Sequence, residues 1–344
     1  MRKKTLTILA LSVISIGSLK AQQLPGYVPT TQLKAWYSFT NNYNDLSGNS
    51  NHATNYGTVF APDRCQNANA AVYFDGNYKK LVIQNSLLPV TPTSFTIAFW
   101  IKRTSAPGTG QDIIAERGTA NYDHKYRITL GDPGSSAPHA YTHCISHHHN
   151  TEFKYPAIGT VTSEWEHVTV VYDKDLSKNF IYINGNLLAS NNLPANTYAP
   201  TQNPTWIGGI DLPTGGNPNI DVPYKGYIDD LGFWSRALNV KEIIDLANAD
   251  CSNTTSIRNN TFNNKLNVYP NPANRNITIE NSAFTGGAFD IRIINNTGQE
   301  VYNNNFKSGK INIDLPETIP AGVYYIYLIA DQQLQSVKEI SIRP

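Results

Sequence analysis

The sequence predicts an all-β protein made of two β-sandwich domains. The composition favours turns and half-exposed strands, because the 344 residues include 23 Gly, 20 Pro and 20 Tyr. Short runs with strand character recur about every ten residues, separated by Gly, Pro, Asn and Asp. Strand and helix patterns do not alternate along the chain, so a doubly wound α/β fold is not expected.

The N-terminal residues 1–21 are interpreted as a secretory signal peptide. A basic "MRKK" precedes the apolar "TLTILALSVISIGSL", and the segment ends at the small residue Ala21. No later apolar run is long enough to span a membrane. Lys plus Arg is 27 and Asp plus Glu is 26, so charge gives no reason to expect nucleic acid as a partner. We therefore expect an exported, water-soluble protein in a compartment that permits disulfides.

The first domain is predicted at residues 33–250. The runs "AWYSF", "SFTIAFWIKR", "HVTVVYD" and "NFIYINGN" read as strands, and the Asn-Gly pair predicts a tight hairpin turn. One helix is predicted at "NVKEIIDLANA", where Asn239 caps the helix and Glu242 completes a capping box. Strands at this spacing over about 200 residues indicate one large antiparallel sandwich.

A polar segment without periodicity, residues 251–265, predicts a linker. Residues 266–344 then contain about seven short strand patterns, among them "NITIEN" and "GVYYIYLIA". They predict a small immunoglobulin-like sandwich that lacks the Cys…Trp…Cys signature.

Three cysteines allow at most one internal disulfide. Cys65 and Cys251 lie near the start and end of the first domain, so we expect them to pair and Cys144 to stay free. The alternative, in which all three are reduced core residues, stays open.

The first domain resembles the laminin-G-like jelly roll of the concanavalin A-type lectin fold. The likeness rests on ordered landmarks, which are "LKAWYSFTNNYNDLSGNSNHATNYGT", "AVYFDGNYKKLVI", "SFTIAFWIKR", "SEWEHVTVVYDKDLSKNFIYINGNLL" and "GYIDDLGFWSRALNVKEI". The second domain resembles the type A C-terminal sorting domain of the type IX secretion system, through "VYPNPANRNITIE", "NNTGQEVY" and "INIDLPETIPAGVYYIYL". This second resemblance implies that the type IX machinery is a partner. It also implies cleavage within the linker and a mature protein that is attached to the cell surface or released.

Asp229 and Asp230 stand side by side and raise the question of catalysis. Neighbouring residues of a regular strand point to opposite faces, so we expect that the two carboxylates cannot act on one substrate. Glu164 and Glu166 share a face, but they lie where the resembled family has no catalytic carboxylates. No H-E-x-x-H or G-x-S-x-G motif is present. The sequence therefore predicts a non-catalytic binding protein. One alternative is a lectin-fold glycoside hydrolase or polysaccharide lyase, and another is a structural surface protein without a small ligand.

The jelly-roll resemblance implies one structural calcium. The carboxylates of Asp45 and Asp230 are the expected ligands, and Asn49, His52 and Asp229 are expected carbonyl donors. The alternative is an Asx turn at Asp45, which needs no metal.

The segment "HAYTHCISHHHN" predicts a polar stripe on a strand. Imidazole and thiolate ligate zinc, but residues at every second strand position rarely converge on one ion. The lectin-fold resemblance implies a glycan or matrix ligand, and we expect it to contact this stripe through Tyr141, His143, His147 and His149. Neighbouring Tyr122, Tyr126 and Tyr155 are further candidates for that surface. Four tryptophans at landmark positions are expected in the core, namely Trp36, Trp100, Trp165 and Trp234, and Trp206 is not assigned to a face.

Overall fold

The computed structural model describes residues 22–77, 79–89, 93–104, 111–117, 124–130, 141–146, 152–154, 164–192, 203–209, 222–249, 251, 266–281, 286, 288–296, 299–330 and 333–343. The predicted signal peptide and nearly all of the predicted linker lie outside these residues.

The described strands of the first domain form two sheets of eight. The first sheet has the order β13 (Asn186–Asn192), β12 (Lys178–Ile183), β11 (Glu166–Asp173), β6 (Phe95–Arg103), β16 (Lys225–Trp234), β4 (Ala71–Asp75) and β3 (Val59–Ala61), and β1 (Leu33–Tyr37) also pairs with β16. The second sheet has the order β10 (Glu152–Lys154), β9 (Tyr141–Ser146), β8 (His124–Leu130), β7 (Gln111–Arg117), β14 (Thr205–Ile207), β5 (Lys80–Ile83) and β2 (Ala53–Tyr56), and β15 (Val222–Pro223) pairs with β7.

A single apolar core fills the space between the two sheets. Phe99 and Val170 enter it from the first sheet, and Ile83 and Ile128 enter it from the second. Because strand residues alternate between faces, Trp100 and Thr169 lie on the outer face of the first sheet. Two-sided burial explains why β6 is apolar along nearly its whole length.

The outer face of the first sheet is partly covered by helix α1 (Val240–Ala247). The predicted capping box is confirmed, since the Asn239 side chain accepts from the Glu242 backbone N–H and the Glu242 carboxylate accepts from that of Asn239. The predicted hairpin turn is also confirmed, because Asn184 and Gly185 join β12 to β13 with φ of 51° and 78°.

The second domain is a small sandwich of two antiparallel sheets. One sheet contains β17 (Leu266–Tyr269), β18 (Asn276–Asn281) and β21 (Lys310–Asp314), in that order. The other has the order β20 (Glu300–Phe306), β19 (Phe289–Asn295), β22 (Gly322–Ala330) and β23 (Gln333–Ile342). Both sheets contribute to one apolar core, which includes Ile277 and Ile326.

Candidate functional site

Asp229 and Asp230 lie at an irregularity in β16 and not in a regular strand. The register of β16 against β6 shifts between Asp229 and Gly232, and Asp230 has a φ of 46°. At this point the other edge of β16 changes partner, from β4 to β1. The expectation that the two carboxylates point to opposite faces is therefore wrong, because the bulge turns both toward one cation.

That cation is Arg64, which the sequence patterns did not identify. Its Nη1 lies 2.6 Å from Asp229 Oδ2, and its Nη2 lies 2.9 Å from Asp230 Oδ2. The Tyr27 hydroxyl donates to Asp230 Oδ2 at 2.8 Å. The guanidinium carbon lies 4.7 Å from the centroid of the Trp100 ring, in cation–π geometry. We call Arg64, Asp229, Asp230 and Tyr27 the arginine cluster.

Burial shifts the pKa values of the carboxylates in this cluster. It raises the pKa of Asp229 well above its ordinary value, and the neighbouring Asp230 raises it further. The pKa of Asp230 is also raised by burial, and Arg64 opposes that rise. Nearby His167 has its pKa lowered to about 3 by burial and by Arg64, so it is neutral at physiological pH.

The arginine cluster joins segments that are distant in the sequence. Arg64 Nη2 donates to the backbone oxygen of Ala249 at 3.4 Å, just after helix α1. The next residue, Cys65, forms a disulfide with Cys251. The loop that carries Arg64 is therefore tied both to β16 and to the chain that leaves the first domain, which indicates a structural role.

The predicted calcium ligands do not form one donor set. Asp45 Oδ1 accepts from the backbone N–H groups of Trp36 and Ser47, and Oδ2 accepts from the Ser47 hydroxyl and the Asn51 N–H. These four bonds occupy the lone pairs of the carboxylate. Asp229 and Asp230 are bound to Arg64.

The side chains of His52 and Asn49, whose backbone carbonyls were the expected donors, form hydrogen bonds of their own in this region. The His52 Nδ1 accepts from the Asp45 N–H, and the Asn49 side chain donates to the Leu33 oxygen at 2.8 Å. Within the described part of the chain, no three His, Cys, Asp or Glu residues are arranged to hold a metal ion. As held in this structure, these side chains do not fit calcium, and a calcium-free loop is the prediction.

The predicted ligand stripe is only partly described. Strand β9 pairs with β8 so that His143 lies opposite Ile128 and Tyr141 lies opposite Leu130. His147 and His149 lie outside the described residues, as do Tyr122 and Tyr155. One candidate is wrong, since Tyr126 is fully buried in the core and its hydroxyl lies 2.6 Å from Thr205 Oγ1.

A different surface on the first sheet brings aromatic residues together. Tyr73 of β4, Tyr227 of β16 and Lys102 of β6 lie in register across three neighbouring strands. Trp165 directly precedes β11, whose Glu166 pairs with Ile101, so it continues the same line. We call Trp165, Lys102, Tyr227 and Tyr73 the aromatic row.

The rings of the aromatic row are close but not fully covered. The centroids of Tyr73 and Tyr227 are 4.9 Å apart, and those of Tyr227 and Trp165 are 6.1 Å apart. All four side chains are partly exposed. The expectation of a core position is therefore wrong for Trp165, and it is also wrong for half-buried Trp100, whereas Trp36 and Trp234 are fully buried.

Alternation along the strands assigns the aromatic row to the outer face. Ile228 and Ile101 are in the core between the sheets, so their neighbours Tyr227 and Lys102 face away from it. On the second sheet, Trp206 pairs with Val82 and Ala115, while the adjacent Thr205 bonds to the core residue Tyr126. Trp206 therefore lies on the outer face of that sheet.

The family comparisons agree with this architecture. Residues 75–244 match the model of the concanavalin A-like lectin/glucanases superfamily. The first domain is a concanavalin A-like domain. Residues 267–343 match the model of the secretion system C-terminal sorting domain, which identifies the second domain as a sorting domain. A domain of this kind indicates export to the cell surface or secretion.

Solved structures show a distant likeness in fold. Domain 4 of AbnA, a GH43 extracellular arabinanase from Geobacillus stearothermophilus in complex with arabinotriose, is 20% identical, with a TM-score of 0.48, 63% of this chain covered and 98% of that one. The binding domain of botulinum neurotoxin serotype D/C is 14% identical, with a TM-score of 0.49 and coverages of 92% and 79%. The Trypanosoma rangeli sialidase is 14% identical, with a TM-score of 0.47 and coverages of 64% and 33%.

The search of curated proteins gives no significant match. Among the described residues, no helix is both long and apolar enough to cross a membrane.

Proposed function

We propose that this protein is an exported glycan-binding protein, and that its concanavalin A-like domain binds a sugar chain along the aromatic row without cleaving it. The observation that carries the proposal is the line of three partly exposed rings across one sheet face. The C–H faces of pyranose rings are apolar and stack on aromatic side chains. A row of such rings therefore suits an extended saccharide.

Polar groups within the row would give the ligand its orientation. Lys102 lies between the Trp165 and Tyr227 positions, and its ammonium group is a donor for sugar hydroxyl or acidic groups. Tyr73 and Tyr227 each combine an apolar ring with a hydroxyl.

Non-cleavage is proposed because the adjacent carboxylates are occupied. Glycosidases need two carboxyl groups about 5 to 9.5 Å apart on either side of the scissile bond. Asp229 and Asp230 are buried and bound to Arg64, so they do not face a ligand on the row. Glu164 lies in a bend before β11, so strand alternation does not place it beside Glu166.

The proposal is tested with the chain that lacks the predicted signal peptide, residues 22–344, on an array of plant, algal and animal glycans. We expect binding to at least one class of saccharide, with no release of reducing sugar or unsaturated ends on prolonged incubation. Binding should fall at least about tenfold in Trp165→Ala and Tyr227→Ala, a loss of about 1.4 kcal/mol. Tyr56→Ala is a matched control, because Tyr56 is 48% exposed on the second sheet.

Two results would contradict this assignment. Product release would make the protein a lectin-fold hydrolase or lyase. Full binding by Trp165→Ala, together with loss of binding by His143→Ala or His147→Ala, would place the site at the β9 stripe. Melting temperatures of all variants show whether a loss of binding reflects a loss of folding.

A further inference from the structure

Helix α1 has two apolar sides that pack against different parts of the chain. Ile243 and Leu246 are buried in a cluster on the outer face of the first sheet, together with Tyr182. Val240 and Ile244 are buried in a separate cluster, and its other buried members all come from the sorting domain. The apolar arc of the helix is therefore wider than contact with one sheet requires.

The sorting-domain part of that cluster is an apolar patch on the outside of its four-stranded sheet. In β22, Tyr324, Ile326 and Leu328 enter the sandwich core, so the alternate residues lie on the opposite face. Ile294 of β19 pairs with Tyr325, and Val337 of β23 pairs with Tyr327. The apolar surface therefore extends from β22 onto both neighbouring strands. We call this surface the outer patch, formed by Ile294, Tyr325, Tyr327 and Ile329, with Val337 at its edge.

The outer patch is covered over only part of its strand. Tyr327 is 1% exposed and Tyr325 is 7% exposed, whereas Val323, at the next alternate position, is 41% exposed. The outward face of a sheet in water is usually polar, so an apolar patch of this kind needs a cover. Helix α1 supplies that cover as far as Tyr325, and Val323 lies beyond it.

The electrostatic surroundings of the two tyrosines also come from both domains. Burial raises the pKa of Tyr327, and Tyr182 of the first domain raises it further. Burial likewise raises the pKa of Tyr325, with further contributions from Glu339 and from Asp245 and Glu242 of the helix. The Tyr327 hydroxyl has no hydrogen-bond partner among the described residues, so its burial costs free energy that the apolar contact must offset.

We propose that the sorting domain docks on helix α1 through the outer patch, so that the intact chain is one two-domain body. The partner of the patch is the helix face of Val240 and Ile244. Each domain then covers an apolar surface of the other, and removal of the sorting domain exposes that helix face. This inference is independent of glycan binding.

The test uses residues 22–344, which contain both domains, in solution, measured by small-angle X-ray scattering and by limited proteolysis of residues 252–265. Tyr327→Asp and Ile244→Asp place a charge in the contact from either side. Val323→Asp is the matched control, since it adds the same charge to the same strand outside the contact.

We expect the wild type and Val323→Asp to scatter as one compact body. Both contact variants should scatter as two separated domains, because a segment of about 15 residues is long enough to span roughly 20 Å. Linker cleavage should become at least about tenfold faster in both, since a buried charge costs more than about 1.4 kcal/mol.

Independently moving domains in the wild type would overturn the proposal, as would contact variants that behave like Val323→Asp. If Tyr327→Asp unfolds the sorting domain, Ile244→Asp decides the question, because Ile244 lies in the first domain. If Ile244→Asp scatters as two separated domains, while circular dichroism and proteolysis show an intact sorting domain, docking is supported. If Ile244→Asp scatters like the wild type, docking is rejected.

Discussion

The carboxylate of Asp230 lies 2.9 Å from Arg64 Nη2, in a bulge that also turns Asp229 toward the same guanidinium. One arginine thus faces two buried carboxylates, with the Tyr27 hydroxyl as an additional donor. Since removal of one partner from a buried ion pair leaves an uncompensated charge, the cluster should be sensitive to single substitutions.

Arg64→Met should lower the free energy of unfolding of the first domain by about 3 to 5 kcal/mol at neutral pH. The side chain would still pack on Trp100, but Asp229 and Asp230 would lose their cation. Unpaired carboxylates take up protons more readily, so the loss should shrink as pH falls. Denaturant unfolding at pH 7.5 and pH 5 measures both effects.

Lys241→Met is the control for that experiment, because Lys241 forms an exposed i,i+4 ion pair with Asp245. It should change stability by about 0.5 kcal/mol or less. A similar loss in the two variants, or a loss in Arg64→Met that grows toward low pH, would contradict the role assigned to the arginine cluster.

Asp229→Asn should reduce the dependence of stability on pH. The pKa of Asp229 is raised in the folded protein by burial and by Asp230, so the folded state binds its proton more tightly than the unfolded state. The resulting stabilisation is present at low pH and is lost as pH rises through the raised pKa. The variant lacks this titration, so its melting temperature should change less between pH 4.5 and pH 8.

Asp175→Asn provides the comparison, because Asp175 is exposed in the turn after β11. Its melting temperature should follow the wild-type curve at every pH. An unchanged pH dependence in Asp229→Asn would show that Asp229 does not carry a raised pKa.

The limits of sequence prediction are clear at these residues. The capping box, the Asn-Gly turn and the strands depend on local patterns, so the sequence was sufficient to predict them. The bulge at Asp230 lies where the neighbouring strand of β16 changes from β4 to β1. Arg64 reaches this bulge from a loop that is distant in the sequence. Neither leaves a periodic signal, and the sequence patterns therefore placed Asp229 and Asp230 in a regular strand.

The aromatic row illustrates the same limit in another form. Landmark tryptophans predict burial, but the pattern does not say which sheet face has a cover. Trp36 and Trp234 are covered by the helix and N-terminal segment, whereas Trp165 lies beyond that cover. The run "GVYYIYLIA" is apolar at alternate positions of both faces, a pattern typical of a strand that is buried on both sides. This pattern is consistent with a cover over the outer face of β22.

Calcium and EGTA should give the same melting temperature for the full chain. The four donors to the Asp45 carboxylate are protein groups, and they hold the loop without a metal. A calcium ion bound at 100 times its dissociation constant would instead add about 2.7 kcal/mol of stability. A clear rise in melting temperature with calcium, abolished in Asp45→Ala, would restore the predicted metal site.

Deletion of residues 266–344 should stop export at the periplasm in a host that has the type IX machinery. Residues 267–343 match a sorting domain, and the polar segment before them is a suitable place for proteolytic removal after export. Fractionation and immunoblotting measure the location of the protein.

Because deletion also exposes Val240 and Ile244, an export failure must be separated from a folding failure. Ile244→Asp makes that separation, since it disrupts docking but leaves the sorting domain unchanged, and it should still be exported. Surface display of the truncated chain at wild-type levels would show that the tail is not the export signal. A mature surface form that retains "SVKEISIRP" would make it a permanent domain.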